Sequence, residues 1–339
     1  FYHFSFIHLI FMRIIKACYL FIVLGIFSIA CSKNSSDPNG GTTGTVANNV
    51  VYYIDSANIH TTDINGANAK LVVAVTPPTN LNSYIGDACV ASDGSKLYFF
   101  HITSGSNPST KIVSVNKDGS GLTTIATLAV STGINYKSIK QLSNGKLAFI
   151  KNNFGSNPFT TSIEVINADG SGQDKLATVP LGFSNHQVAA DGKRFVLTSS
   201  AATPLAYSGT IVNGNMGDPK SIVNSRNVLS TKISSDGTKI VYAKMNGTNK
   251  IDVYSYTTAT EAEVLVKSVT LPSDITSLST WTVRLNWLEG SSKILLSFAK
   301  DSNFGTVDGY LNCVLMNADG SGEKTWKINN QDDWLAFTE

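Results

Sequence analysis

Short apolar stretches separated by polar turns run through the chain from residue 50 to its end. The stretches are rich in β-branched and aromatic residues and show no long run at helical period, so the pattern predicts β-strands. One kind of turn, built on Asp-Gly or Asn-Gly, is followed by an apolar strand. It occurs at Ser92–Phe100, Ser143–Ile150, Ala190–Leu197, Ser235–Tyr242 and, in a degenerate form, Glu289–Leu296.

A second kind of turn follows an apolar strand and reads Asn-x-Asp-Gly-Ser-Gly. It occurs at Ile112–Gly121, Ile163–Gly172 and Val314–Gly322, with a weaker version at Asp63–Asn68. Tight hairpin turns need positive φ angles, which Gly adopts freely and Asn or Asp tolerates. The first kind of turn recurs at spacings of 51, 47 and 45 residues. A unit of this length with four short strands is a β-propeller blade.

The repeats predict an all-β protein, a β-propeller of six four-stranded blades, with seven blades as the alternative. The predicted blades lie near residues 50–76, 85–130, 134–180, 184–224, 229–268 and 278–328. The first repeat begins at the strand after the first turn and therefore lacks an innermost strand. We expect the C-terminal segment 333–338 to supply it and close the ring, which leaves no open sheet edge.

These turns resemble the TolB-like, WD40-like (PD40) β-propeller family. Its blades carry a Ser-Pro-Asp-Gly-Lys turn before one strand and an Asn-Ala-Asp-Gly-Ser turn after the next. The resemblance covers roughly residues 49–339. It is specific at Asp93-Gly94, Asp191-Gly192 and Asp236-Gly237, and at the Asn-x-Asp-Gly-Ser-Gly copies. No copy here keeps the Pro before Asp, which indicates a distant member. The resemblance implies a periplasmic protein that binds partners, and it carries over no chemistry because the Asp-Gly residues shape turns.

The N-terminal segment has the pattern of an export signal. Arg13 and Lys16 follow Met12, residues 19–30 carry no charge, and small residues precede Cys31. This order is typical of a secretory signal peptide, and the cysteine directly after the cleavage point resembles the lipobox of bacterial lipoproteins. A transmembrane anchor is the alternative, but the uninterrupted apolar run is short for a membrane span.

We therefore interpret residues 1–30 as a signal peptide, with residues 1–11 upstream of the true start. Cys31 is the predicted lipid attachment site, and residues 31–48 form a flexible tether because they contain almost no apolar side chains. This organisation predicts a lipid-anchored protein of the bacterial cell envelope. Ser32 after the cysteine is compatible with sorting to the outer membrane.

Charge and cysteine content narrow the function classes. The formal net charge of +2, with 15% charged residues, gives no field suited to nucleic acid. Four cysteines are too few for a disulfide scaffold. Cys89 and Cys313 fall in blades far apart on the ring, and we expect both to be buried, reduced packing residues.

The sequence contains few groups arranged for catalysis. Three histidines, His60, His101 and His186, follow the signal segment, and none has the spacing of a metal-ligand pair. Nucleophile elbows, Walker loops and Rossmann fingerprints are absent. The Asp-Gly-Ser-Gly turns lack the further carboxylates of a calcium loop. We therefore predict no catalytic residue, metal or cofactor.

The connections opposite the two kinds of turn are longer, and they offer the candidate binding surface. These loops span 101–110, 151–161, 199–209 and 299–310. The candidate binding residues are aromatic or hydrogen-bonding side chains in these loops or near the crossovers between blades: Tyr84, Tyr136, Phe154, Phe159, His186, Tyr207, Trp281, Arg284, Phe304 and Tyr310. Such side chains suit peptide or sugar recognition. Packing between blades is the alternative role for each of them.

The function expected from the sequence is non-catalytic. The propeller would bind an envelope protein, a peptide or a glycan through its long loops, with the lipid as its membrane contact. One alternative is a polysaccharide lyase-like enzyme acting on extracellular glycans, which requires ionisable groups or a metal at the channel mouth. His186 and Arg284 are its candidate residues. The other is a structural accessory protein without a ligand site.

Overall fold

The computed structural model describes most of the chain after residue 49. The described residues are 50–55, 57–75, 82–105, 107–199, 205–217, 219–222, 227–275, 278, 282–288, 291–299, 310–329 and 336–337. Their regular secondary structure consists of β-strands that pair in chain order into successive antiparallel sheets. No helix in this part of the chain is long and apolar enough to cross a membrane.

The first three blades follow the predicted repeats. Blade 1 contains β1 (Val50–Asp55), β2 (Asn58–Asp63) and β3 (Lys70–Ala74). Blade 2 contains β4 (Asn82–Val90), β5 (Lys96–Ser104), β6 (Ser109–Asn116) and β7 (Thr123–Leu128). Blade 3 contains β8 (Ile134–Gln141), β9 (Leu147–Asn153), β10 (Thr160–Ile166) and β11 (Asp174–Val179).

The remaining blades complete the set of six. Blade 4 contains β12 (Phe183–Val188), β13 (Arg194–Ser199), β14 (Ala206–Val212), β15 (Asn215–Met216) and β16 (Lys220–Ser221). Blade 5 contains β17 (Val228–Ile233), β18 (Lys239–Asn246), β19 (Lys250–Thr257) and β20 (Ala262–Thr270). Blade 6 contains β21 (Val283–Leu288), β22 (Lys293–Phe298), β23 (Tyr310–Asn317) and β24 (Lys324–Asn329).

A C-terminal strand closes the ring, as the sequence predicted. Strand β25 (Ala336–Phe337) pairs antiparallel with β1, with Phe337 opposite Tyr52 and Ala336 opposite Tyr53. The first blade therefore combines one strand from the end of the chain with three from its beginning. Six successive blades, the first completed by the closing strand, confirm the predicted β-propeller.

Blade 4 departs from the regular pattern at its outer edge. Two short strands replace one long outer strand, because β14 pairs with β16 at Tyr207 and Ser208 and with β15 further along. Strand β15 also pairs in parallel with β11 of blade 3 through Thr178 and Asn215. Blades 3 and 4 are thus joined by backbone pairing at one position as well as by side-chain packing.

The hydrophobic core lies between neighbouring blades, and the residues of a single strand show how it is built. On β5, Phe99 packs with blade 1 residues such as Ile59, and the next residue, Phe100, packs with blade 3 residues such as Phe149. Successive side chains of a strand point to opposite faces. A strand buried on both faces must be apolar at every position, which explains the unbroken apolar runs in the sequence.

The repeated turns hold adjacent blades together. In the first kind of turn, the Ser143 N–H donates to the Ala190 carbonyl (2.7 Å), and the Ala190 N–H donates to the Ser235 carbonyl (2.9 Å). In the second kind, Gly170 lies directly against the Ile125 carbonyl on the outer strand of the preceding blade. The turns therefore form part of the blade interfaces as well as reversing the chain.

The antiparallel order fixes which connections share a face of the ring. Both kinds of repeated turn lie on one face, which we call the turn face. The connections between second and third strands lie on the opposite face together with the crossovers between blades, and we call this the long-loop face. The innermost strands β4, β8, β12, β17 and β21 each start at the long-loop face and run toward the turn face.

The two cysteines of the propeller are free thiols in different blades. Cys313 on β23 is buried and Cys89 on β4 is only partly buried, so the expectation of full burial was right for Cys313 alone. Loss of solvation raises the pKa of each thiol to about 12. Both are therefore protonated and unreactive at neutral pH.

Candidate functional site

The innermost strands surround the central channel, and four of them carry irregularities in their pairing. The register shifts at residues 85–88 of β4, 137–140 of β8, 183–185 of β12 and 228–230 of β17. A β-bulge bends its strand and redirects side chains. Charged residues of these strands, such as Asp87 and Lys137, lie at the irregularities.

A carboxylate links the bulges of blades 2 and 3. Asp87 lies in the β4 bulge, and its Oδ2 accepts a hydrogen bond of 2.6 Å from the backbone N–H of Ser138 in the β8 bulge. Ser138 has a φ of 57°, a conformation that costs a non-glycine residue energy. The charge-assisted bond from Asp87 offsets part of that cost.

Four basic side chains lie on the innermost strands with Asp87. Lys137 and Lys140 belong to blade 3, Lys232 to blade 5 and Arg284 to blade 6. Lys137 and Arg284 come from opposite blades and repel each other, while Asp87 attracts Lys232 from the blade opposite its own. Because all five residues lie on innermost strands, they are arranged around the axis of the ring.

Burial disfavours the charged form of these basic groups. Desolvation is the main cause that lowers the pKa of Lys137, Lys232 and Arg284, and it lowers the pKa of Lys140 to about 8. Asp87 acts in the opposite direction on Lys137, Lys232 and Arg284. All four basic residues keep part of their surface accessible to solvent. The described innermost strands therefore bring basic side chains with partial access to solvent to the centre of the ring.

His186, one of the candidate binding residues, lies in the core rather than at the surface. It sits on β12 with 1% of its surface exposed. Burial is the main cause that lowers the pKa of its imidazole to about 3, and the charge of Lys137 acts in the same direction. The ring is therefore neutral at physiological pH.

Four of the candidate aromatics are exposed, and all four lie on the long-loop face. Phe154 is 60% exposed, Tyr310 48%, Phe159 44% and Tyr84 42%. Phe154 and Phe159, in one loop of blade 3, pack against each other with ring centroids 6.2 Å apart. The Lys327 ammonium lies 5.2 Å from the centre of the Tyr310 ring. Every large aromatic that is exposed in the described residues is on this face.

Two other candidates pack inside the fold. The Tyr136 hydroxyl donates a 2.7 Å hydrogen bond to the Ala129 carbonyl, and its ring contacts Phe149 edge to face. Tyr207 is partly buried and packs edge to face on Phe183, with centroids 5.2 Å apart. Tyr136 and Tyr207 therefore have the packing role that the sequence analysis gave as the alternative to binding. Trp281, Phe304 and the lipid attachment site Cys31 lie outside the described residues.

Sequence reasoning named Arg284 but missed the residues that accompany it in the channel. Asp87, Lys137, Lys140 and Lys232 were not candidates, although charged residues inside short strands are unusual. Once the first strand of each blade is known to be innermost, a charged residue within it points to the channel. Within the described ranges, no three His, Cys, Asp or Glu side chains are close enough to hold a metal ion.

The fold and the site define a class: a six-bladed β-propeller whose described innermost strands carry basic side chains and whose long-loop face carries exposed aromatics. Among solved structures, the chain is similar to TolB from Acinetobacter baumannii, with a TM-score of 0.59 and 14% identity over 86% of this chain and 66% of that one. It therefore spans slightly less than two thirds of that TolB. It is also similar to a chain of the nidogen/laminin complex, with a TM-score of 0.55 and 12% identity over 85% of this chain and 96% of that one. At these identities the similarity shows a shared fold. Neither a family model nor a curated protein matches the sequence.

Proposed function

We propose that this protein is a non-catalytic binding protein of the bacterial envelope whose long-loop face binds a protein partner. The observation that carries the proposal is the position of the exposed aromatics. Tyr84, Phe154, Phe159 and Tyr310 all lie on one face of the ring. Aromatic side chains supply much of the binding energy at protein interfaces.

Phe154 and Phe159 form the centre of the proposed surface. They occupy one loop, contact each other and remain largely exposed. Burying a Phe side chain contributes about 1.5–3 kcal/mol, so a partner that covers both would gain more than any single polar contact supplies. The nidogen/laminin structure shows that a chain of this fold occurs in a protein complex.

Site-specific crosslinking tests the proposal. A photoreactive phenylalanine analogue at Phe154 should crosslink a defined protein in intact cells, because the side chain lies within the proposed interface. The matched control places the same analogue at Leu122, which is 48% exposed in a turn on the opposite face. Replacing Phe159 with Ser should reduce the Phe154 crosslink at least fivefold.

A crosslinked product of the same size and yield at Leu122 would contradict the proposal, because it would reflect proximity in the envelope rather than binding. A Phe154 crosslink unaffected by Phe159→Ser would contradict it as well. The adjacent aromatic would then contribute nothing to the contact.

The anchor is a separate part of the proposal. The small residues before Cys31 and the polar segment 31–48 support attachment by lipid at this cysteine. Cys31→Ser should move the protein from the membrane fraction to the soluble periplasmic fraction, because one thiol carries the lipid. Immunoblots of fractionated cells measure the distribution. Cys89→Ser is the control and should stay in the membrane fraction. Release of Cys89→Ser into the soluble fraction, or retention of Cys31→Ser in the membrane fraction, would contradict lipidation at Cys31.

The convergence of ionisable groups in the channel favours a second candidate, a glycan-acting enzyme. Lys140, whose pKa burial lowers to about 8, is the candidate general base there. Asp87 is engaged by the Ser138 N–H. Cleavage of an acidic polysaccharide by the protein, lost in Lys140→Met, would favour the enzyme over the binding protein.

A further inference from the structure

We propose that a cavity between blades 4 and 5, on the turn face, binds a single sugar unit. The cavity has a volume of about 350 Å³ and is lined by residues of both blades. Small-molecule pockets in proteins have volumes of roughly 300 to 1,000 Å³, so this one suits a ligand with a single ring. The cavity lies on the face of the propeller opposite Phe154 and is separate from the proposed protein interface.

The turn of blade 5 beside the cavity departs from the repeat. In three other blades, a glycine of the corresponding turn lies against a carbonyl of the preceding outer strand: Gly119 on Val72, Gly170 on Ile125 and Gly320 on Val266. The turn of blade 5 covers residues 258–261 and contains no glycine, whereas that of blade 2 covers residues 115–122. A shorter turn reaches less far toward the preceding blade, so the contact that closes the other interfaces is missing here.

The facing edge of blade 4 departs from the repeat as well. Its outer edge is split, with Lys220 of β16 opposite Ser208 of β14 and Met216 of β15 opposite Ile211. Between these pairs the Gly217 N–H donates a 3.0 Å hydrogen bond to the Thr210 carbonyl. Both partners of the regular contact are therefore changed at the same interface, and the cavity lies between them.

The cavity combines an apolar base with hydroxyl-bearing walls. Ile233 and Tyr256 of blade 5 line the base and are 2% and 7% exposed. On blade 4, Ser208 is paired with Val196, which packs against blade 5, and Thr210 is two residues further along the same strand. Alternate side chains of a strand share a face, so the hydroxyls of Ser208 and Thr210 both face the cavity.

Three charged side chains complete the lining, and each has a partner across the interface. The Arg194 Nη1 donates a 3.1 Å hydrogen bond to the Asp236 carbonyl of blade 5, and a guanidinium has further N–H groups beyond this one. The Lys220 ammonium lies 3.3 Å from the Glu261 carboxylate, with 78% and 62% of the two side chains exposed. An exposed ion pair contributes little to stability, so a ligand can replace it with its own hydrogen bonds at small cost.

This lining suits a sugar better than an apolar or an ionic ligand. A sugar ring has a face of C–H groups, which matches the apolar base, and a rim of hydroxyls that both donate and accept hydrogen bonds. Tyr256 offers an apolar ring with a polar tip, and the walls supply hydroxyls, N–H donors and a carboxylate. An anion would be attracted by Arg194 and Lys220 but repelled by Glu261. An uncharged sugar meets no such repulsion.

Calorimetric titration of the full-length protein with neutral sugars tests the proposal. The probes are the methyl glycosides of glucose, galactose, mannose and N-acetylglucosamine, and cyclohexylmethanol is the control because its ring carries no hydroxyls. We expect at least one glycoside to bind about tenfold more tightly than cyclohexylmethanol, since polar groups that line the cavity stay unpaired with the control.

Two variants locate the binding in the cavity. Ser208→Leu should weaken glycoside binding about tenfold or more, because the larger side chain occupies the space between the blades. Thr210→Val keeps the shape of the side chain but removes its hydroxyl, so it should weaken binding about threefold. Thr124→Val is the matched control, at an exposed position on the outer strand of blade 2, and should leave binding unchanged.

Four results would overturn the proposal. They are failure of every glycoside to bind, equal affinity for cyclohexylmethanol, a loss in Thr124→Val as large as that in Thr210→Val, and displacement of the glycoside by an equimolar amount of acetate. The last result would assign the cavity to anions. If Ser208→Leu does not fold, as judged by circular dichroism, Thr210→Val decides, and unchanged binding in that variant would reject the site.

Discussion

Replacing Gly170 with Ala should lower the free energy of unfolding by about 3 kcal/mol or more, the sum expected for a left-handed conformation and for overpacking. Gly170 has a φ of 87°, in the second kind of turn of blade 3. A Cβ added there would overlap the backbone carbonyl of Ile125 on the outer strand of blade 2. Neither backbone can shift without opening the blade interface.

Gly145 provides a matched control in the same blade. Its φ is 81°, so a side chain meets the same conformational penalty, but no atom lies within 4 Å of an added Cβ. Gly145→Ala should therefore cost about 1–2 kcal/mol, the penalty for the left-handed conformation alone. Urea unfolding followed by circular dichroism measures both variants.

The difference between the two variants tests whether these turns hold the blades together. Equal losses would show that Gly170 is needed only for its φ angle and that the blade interface can move. Gly119 and Gly320 meet the preceding blade in the same way, through the carbonyls of Val72 and Val266. We expect their Ala variants to match Gly170→Ala.

The fold could be predicted from the sequence because its repeated signals are local. Asp-Gly turns identify hairpins by the φ angles they require, and apolar runs such as Leu97–Phe100 identify strands buried on both faces. The closing strand β25 was predictable because the first repeat lacked one strand. The split outer edge of blade 4 was not, because the pairing of β15 with β11 depends on a neighbouring blade.

The candidate site was less predictable, since exposure and convergence arise only in the assembled ring. Phe154 and Tyr136 are both aromatics near long loops, yet the first is 60% exposed and the second 6%. A strand register decides which of two neighbouring positions faces the core, and no single residue encodes it. Asp87 and Lys232 are 145 positions apart in the chain, so their attraction across the channel could not be inferred from spacing.

The buried imidazole of His186 should make the fold sensitive to mild acid. Its pKa is lowered from 6.5 to about 3, chiefly by burial, and the nearby ammonium of Lys137 adds to the effect. In the unfolded chain the His186 imidazole takes up a proton near pH 6.5, whereas in the folded chain it stays neutral at that pH. The stability contributed by the neutral ring is therefore complete above pH 6.5 and is lost progressively as the pH falls from 6.5 toward 3.

The expected loss between pH 7.5 and pH 5 is about 2 kcal/mol, at 1.36 kcal/mol for each pKa unit. His186→Gln removes the titrating group. Between pH 7.5 and pH 5, the free energy of unfolding of His186→Gln should therefore fall by about 2 kcal/mol less than that of the wild type, whatever the stability of the variant at pH 7.5. Urea unfolding at several pH values measures how the free energy of unfolding changes with pH in the wild type and in His186→Gln. The window suits the test because the aspartates of the turns, whose pKa values are lowered, stay charged throughout it.

His101→Gln is the control for a less buried ring. The Nε2 of His101 shares a 2.6 Å hydrogen bond with the Ser83 hydroxyl, and the residue is partly exposed. Partial burial lowers the pKa of His101, but the ring retains both a partner and some solvent, so its protonation disturbs the fold less. We therefore expect His101→Gln to change the slope of unfolding free energy against pH less than His186→Gln does.

Equal slopes for the wild type and His186→Gln would show that the folded protein admits a proton at His186. The ring would then be reached by water from the channel, and the closed packing of blades 3 and 4 around it would be wrong.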